Sequence, residues 1–121
     1  MTKTILIVED DPFIAMDLQD TFEDAGFKVL GPVAAVYPGL EIVRSMKPDV
    51  AMLDYNLGRE TSVVLAHELE AQNIPYIFLS GQVDRVVTAE CEAPRRVIAK
   101  PFEPDSLIAY VNSLIPQGIA N

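Results

Sequence analysis

Strand–helix alternation repeated five times predicts an α/β domain with one parallel sheet and helices on both faces. Three observations carry this expectation. Five short apolar runs have the composition of strands buried on both faces. Stretches with apolar residues spaced by three and four separate these runs, as amphipathic helices require. Gly and Pro punctuate the boundaries. A length of 121 residues suits one such domain and is too short for two.

The first strand is Ile5-Leu6-Ile7-Val8. Pro12 follows where a first helical turn begins, and Ile14, Leu18, Phe22 and Ala25 share a face of that helix, which Gly26 stops. Phe27 to Val33 reads as a second strand. Gly31-Pro32 within it places that strand at a sheet edge, because proline cannot donate to a ladder. Leu40, Val43 and Met46 mark one face of a short helix that Pro48 terminates. Val50-Ala51-Met52-Leu53 is the third strand, ending at Asp54, and Gly58 then turns the chain. Val64 or Leu65, with Ala66 and Leu69, support a third helix. Tyr76-Ile77-Phe78-Leu79 is the fourth strand, ending at Ser80-Gly81. Val83, Val86, Val87 and Cys91 suggest a short helix broken by Pro94. Val97-Ile98-Ala99 is the fifth strand, ending at Lys100. Leu107, Val111, Leu114 and Ile115 mark the last helix, and residues 117 to 121 are expected to form a loose tail.

Half of the residues are hydrophobic, which argues against disorder. A formal net charge of −9 argues against a nucleic-acid backbone or an anionic membrane as partner. Cys91 is the only cysteine, so one chain has neither a disulfide framework nor a cysteine zinc site. The apolar run from Ile5 to Val8 is too short for a secretory signal, and no segment approaches the length of a membrane span. The expectation is a soluble cytoplasmic protein.

The informative pattern is where polar residues fall. The first strand ends at Glu9-Asp10-Asp11, the third at Asp54, the fourth at Ser80 and the fifth at Lys100. The second ends in Val33-Ala34-Ala35 and carries no such group. In a parallel sheet all strand C-termini share one edge, and ligands bind there at the switch point of the topology. With strand order 2-1-3-4-5, strands one and three flank that point. Glu9, Asp10 and Asp54 would then crowd three carboxylates together, which a hard divalent cation relieves; Mg²⁺ is the usual choice beside phosphate chemistry. If Asp54 accepts a phosphoryl group, Mg²⁺, Lys100, the Ser80 hydroxyl and backbone N–H groups could clamp its oxygens.

Ile7-Val8-Glu9-Asp10-Asp11-Pro12, Leu53-Asp54-Tyr55-Asn56-Leu57, Phe78-Leu79-Ser80-Gly81 and Lys100-Pro101-Phe102 together resemble the receiver domain of bacterial response regulators, over nearly the whole chain. The resemblance implies a flavodoxin-like fold and a phosphoacceptor switch in a two-component or phosphorelay system. It makes Asp54 the phosphoacceptor, Asp10 a direct Mg²⁺ ligand, Glu9 a ligand through water and the Asn56 carbonyl a further ligand. It assigns Ser80 and Lys100 to the phosphoryl group and a cis bond to Lys100-Pro101. Its implied partners are a histidine kinase or histidine phosphotransfer protein upstream and a protein target downstream.

The chain departs from the family pattern at Val97, where most receivers carry the aromatic residue that acts as a rotamer switch. A β-branched side chain cannot take that role. Ala93-Pro94-Arg95-Arg96 also replaces the usual Gly-Ala turn. Pro75 to Gly81 partly resembles the Pro-Phe-x-Phe-Ala-Thr-Gly motif of a receiver subfamily that lacks the aromatic switch. The segment from Gly81 to Pro94 is expected to reorder when Ser80 moves.

Simpler readings compete at single positions. Asp11 before Pro12 is as good a helix N-cap as a site residue. His67 beside Glu68 and Glu70 reads as a solvated helix position, and Cys91 as a packing residue. Two other function classes are an aspartyl-phosphate hydrolase and a phosphorylation-independent adaptor. The hydrolase normally has a general-acid Asp two residues after its nucleophile, where this chain has Asn56. The intact Glu9, Asp10, Asp54 and Lys100 set argues against the adaptor, so the chain is expected to catalyse only its own phosphorylation and dephosphorylation. Output is expected through protein–protein contact or onward relay, unless the domain is cut from a longer chain.

Overall fold

A computed structural model of the chain describes residues 2–58, 60–80, 97–100 and 102–115. The elements are β1 (Thr4–Val8), α1 (Pro12–Asp24), β2 (Lys28–Val33), α2 (Val36–Met46), β3 (Val50–Asp54), β4 (Asn56–Leu57), β5 (Glu60–Thr61), α3 (Val63–Ala71), β6 (Tyr76–Ser80), β7 (Val97–Ala99) and α4 (Pro104–Leu114). Five strands form one parallel sheet in the order β2-β1-β3-β6-β7, which is the expected 2-1-3-4-5 topology of a flavodoxin-like receiver fold.

The central strands are apolar on both faces, and the period of two divides them between two cores. Leu6, Val8, Ala51, Leu53 and Phe78 pack on one face against Val43 of α2 and Leu65 and Leu69 of α3. Ile5, Ile7, Val50, Met52, Ile77 and Leu79 pack on the other against Leu18 and Phe22 of α1 and Leu107 and Val111 of α4. Each large side chain so buried contributes about 1.5–3 kcal/mol. The sheet is thereby held rigid between two helical layers, and its C-terminal edge becomes a fixed platform.

Proline marks β2 as the edge strand, as expected. The β1–β2 register shifts between Leu6 and Val8, beside the cis Gly31-Pro32 bond. Gly31 has φ +96°, and a Cβ there would lie 2.8 Å from Val33 N and 3.1 Å from Ile7 O. Only glycine satisfies both constraints.

Several boundaries differ from the sequence reading. Helix α2, for which no start was read from the sequence, begins at Val36 and includes Pro38 and Gly39, and its buried face is Val36, Gly39 and Val43. Met46, expected on that face, is 54% exposed because the helix ends there, with Lys47 left-handed at φ 48°. Ala25 is an exposed cap residue rather than part of the α1 face, which uses Ala15, Leu18 and Phe22. An unanticipated antiparallel pair, β4–β5, follows β3. The expected helix around Val83 to Cys91, the Lys100-Pro101 cis bond and the tail at 117–121 lie outside the described residues.

Candidate functional site

The site is assembled at the C-terminal edge of the sheet from the residues that end β1, β3, β6 and β7. Glu9 directly follows β1, and its N–H donates to Val33 O at 2.9 Å, which hitches this loop to the end of β2. Asp11 donates its N–H to Glu9 Oε2 at 3.1 Å, so the Glu9 side chain turns inward. Asp54 closes β3. Both carboxylates are buried, Glu9 to 2% and Asp54 to 5% exposure.

The amine arrives from β7. Lys100 N–H donates to Ser80 O at 3.0 Å, extending the ladder by one residue. Lys100 Nζ then lies 3.1 Å from Asp54 Oδ1 and 3.2 Å from Glu9 Oε1. Asp10 is exposed, yet it offers a carboxylate oxygen that lies with those of Glu9 and Asp54 within 4.8 Å of one another. Ser80 is 2% exposed and lies one residue beyond Leu79, the ladder partner of Asp54. Asn56 opens β4, two residues past Asp54, with an exposed side chain. The structure thus gathers Glu9, Asp10, Asp54 and Lys100, and holds Ser80 and Asn56 on the same edge.

Burial is the largest cause of a displaced titration at Asp54. Together with the neighbouring Glu9 carboxylate it outweighs the opposing pull of Lys100, and pushes Asp54 from 3.8 up to about 7. Burial acts to lower Lys100, but its hydrogen bond to Asp54 and the charges of Asp54 and Glu9 prevail, and the ammonium is held above its ordinary value. Three carboxylates cluster here, and one ammonium pairs with two of them, Glu9 and Asp54. Glu9 Oε1 is buried without a hydrogen bond and has the Lys100 ion pair as its compensation. A compact, oxygen-only, under-neutralised cluster fits a hard divalent cation. An open cleft of roughly 290 Å³ leads from Glu9 and Asp10 along Pro12, Met16 and Gln19 of the α1 segment, so the acidic side is accessible from solvent.

Asp11 resolves to the capping role. Its Oδ1 accepts from Phe13 N at 2.9 Å and Ile14 N at 3.2 Å, with Pro12 in the first turn. His67 is exposed on α3. Cys91 and Pro101 lie outside the described residues. Glu60, which the sequence reading passed over, sends Oε2 to accept from Val36 N at 3.1 Å. The Ser/Thr/Asn/Asp residues usual at an N-cap are missing before α2, and that was the available signal for a remote partner. Among the described residues no helix is long and apolar enough to cross a membrane.

Comparisons with known proteins give the family. Residues 5–112 match the family profile of the response regulator receiver domain. The chain is 32% identical over 118 residues to the phyllosphere-induced regulator PhyR of Methylorubrum extorquens, covering 95% of this chain and 44% of PhyR. It is 28% identical to the chemotaxis protein CheY of Thermotoga maritima, covering 94% of this chain and 98% of CheY. The solution structure of SdrG from Sphingomonas melonis superposes with a TM-score of 0.78 at 38% identity, covering 93% of this chain and 95% of SdrG. The chain spans about half the length of several curated relatives it matches, from 44% of PhyR to 55% of the Mycobacterium tuberculosis regulator PdtaR. Receiver domains serve as signalling switches of two-component systems rather than as enzymes acting on a separate substrate. By the residues matched and the fold observed, the chain belongs to the response regulator receiver domain family.

Proposed function

We propose that this domain accepts a phosphoryl group on Asp54 from a phosphohistidine of a histidine kinase or histidine phosphotransfer protein. The observation that carries the reading is the junction at Asp54. A buried carboxylate with a lysine ammonium 3.1 Å away sits in one cluster with Glu9 and Asp10. An Asp54 oxygen attacks phosphorus, the O–P bond forms and the P–N bond of the donor breaks. The imidazole keeps the electron pair and takes a proton from solvent. Only ionised Asp54 is a nucleophile, so a cation that displaces its proton activates it. Mg²⁺, when bound, would supply positive charge for the Asp54 carboxylate and the phosphoryl oxygens. Asp10, Asp54 and the Asn56 carbonyl would hold it, with Glu9 acting through water.

The product adds about two negative charges beside Lys100. The ammonium that pairs with Asp54 and Glu9 is then drawn to the phosphoryl oxygens. Ser80, at the end of β6, supplies a hydroxyl donor from the same edge. These shifts change the surface offered to a downstream protein target.

The test is incubation with acetyl phosphate and Mg²⁺, followed by intact-mass and peptide mapping. One added phosphoryl group on the Asp54 peptide is expected, absent in Asp54→Asn and absent with chelator. Lack of modification, or modification elsewhere, would refute the proposal. A fluoroberyllate titration separates this reading from a phosphorylation-independent adaptor, because the adaptor would not bind it.

A further inference from the structure

Helix α2 has no cap of its own. Ala35 stands at its N-cap with extended backbone (φ −149°, ψ 165°) and no side-chain hydrogen bond, and the first turn contains no acid. The orphan N–H of Val36 is satisfied from 24 residues away, by Glu60 Oε2 at 3.1 Å. Glu60 opens β5 and pairs with Leu57 of β4, while Asn56 pairs with Thr61. This small ribbon is pinned in two further places. Leu57 is buried in the same core cluster as Val36, and Ser62 N donates to Tyr55 O at 3.0 Å. The ribbon that contains Asn56 is therefore tied to the start of α2 by the Glu60 carboxylate as well as by the core that Leu57 and Val36 share.

We infer that Glu60 is a positioning residue that couples metal occupancy at the Asp54 site to the N-terminus of α2. The inference rests on the proposed Mg²⁺ site, with the Asn56 carbonyl as ligand. A ligand that favours one placement of the β4–β5 ribbon also favours the Glu60–Val36 contact, and linkage makes the effect reciprocal. Loosening the cap then weakens the metal, and binding the metal tightens the cap. The first turn of helix α2 is also closely packed. Gly39 packs there so closely that a Cβ would lie 3.1 Å from both Leu65 methyl groups.

The test measures Mg²⁺ affinity by calorimetry, and amide exchange at Val36 and Tyr37 with and without Mg²⁺, in wild type, Glu60→Ala and Glu60→Gln. In wild type, Mg²⁺ should slow exchange at Val36. In Glu60→Ala, exchange should be fast and indifferent to Mg²⁺, and the Mg²⁺ Kd should rise about fivefold, at the low end of measured couplings. Glu60→Gln keeps an acceptor without the charge, so it should recover most of the affinity and of the Mg²⁺-dependent protection. If Glu60→Ala is merely less stable, with Mg²⁺ affinity intact, the inference is overturned. It is equally overturned if Glu60→Gln binds Mg²⁺ as weakly as Glu60→Ala, because the effect is then bulk charge and not position. Wild-type protein that binds no Mg²⁺ at all would remove the metal reading itself, and this inference with it.

Discussion

Replacing Asp54 by Asn should stabilise the metal-free protein, increasingly so as pH rises. The physical cause is the displacement of Asp54 from 3.8 to about 7, first by burial and then by Glu9. Each tenfold change in proton affinity corresponds to about 1.36 kcal/mol, so the displacement amounts to roughly 4 kcal/mol. The sign follows from linkage. The folded state holds a proton that the unfolded state has released, so the contribution of Asp54 is fully present below about pH 4. It falls away as pH rises toward 7, and little changes above that. Asn is nearly isosteric and does not titrate, and Lys100 retains Glu9 as partner at 3.2 Å. The difference in unfolding free energy between Asp54→Asn and wild type should therefore grow from near zero at pH 4 to about 4 kcal/mol at pH 8.

The assay is urea denaturation followed by far-UV circular dichroism, in chelator, at several pH values. Saturating Mg²⁺ should abolish most of the difference, because the cation binds the ionised carboxylate and replaces the missing counter-charge. Parallel stability curves for the two proteins from pH 5 to 8 would refute the account. Asp54 would then be an ordinary solvated carboxylate rather than a charge held in an unfavourable place.

Three further outcomes are expected. Lys100→Met should tighten Mg²⁺ binding at pH 8 by about tenfold, or roughly 1.4 kcal/mol, because the ammonium no longer competes with the cation for Glu9 and Asp54; calorimetry giving equal or weaker binding would contradict the charge balance drawn for the site. Asp11→Ala should cost about 1 kcal/mol of stability through the lost α1 cap, with a smaller effect on Mg²⁺ affinity than Asp10→Asn; the reverse ranking would make Asp11 a site residue. Phe22→Ala, which removes a fully buried ring packed edge-on to Phe27 at 5.3 Å, should cost about 3–5 kcal/mol in denaturation; a loss under 1 kcal/mol would place the α1 core contact elsewhere.

The strand ends were legible in the sequence because of a backbone fact. In a parallel sheet, the residue that ends an apolar run must stand at one common edge. Glu9, Asp54, Ser80 and Lys100 needed no more than that. The start of α2 was illegible for a different reason. The sequence reading gave this helix a face but no start, and Pro38 and Gly39 are no obstacle to an early one, since proline in a first turn leaves unmade only a bond that the helix end lacks anyway. The glycine serves close packing on Leu65, and the cap comes from Glu60. Both are contacts between residues distant in sequence, and no local pattern encodes them. The β4–β5 ribbon was missed likewise, since two residues per strand give no alternation to detect.

Val97 poses the sharpest question for a switch of this kind, and the structure narrows the answer. Aromatic rings do crowd this face of the sheet, but they belong to β6 and to the residue that follows β3. Phe78, the ladder partner of Val97, meets Tyr55 edge-on at 5.4 Å and Tyr76 at 5.5 Å. Phe78 is fully buried, Tyr76 is 8% exposed, and the Tyr76 hydroxyl donates to Glu70. Rings clamped in a ladder and a hydrogen bond have no second rotamer to visit at low cost. If Asp54 carries the signal, side-chain rotation at the fifth strand is not its exit. Backbone displacement is another route, and among the described residues the β4–β5 ribbon, which begins two residues after Asp54, is a segment that can carry it. The ribbon is tethered to the start of α2 by the Glu60 carboxylate. On the proposed reading, a phosphoryl group that pulled on the Asn56 backbone would act on α2 through Glu60, without an aromatic lever.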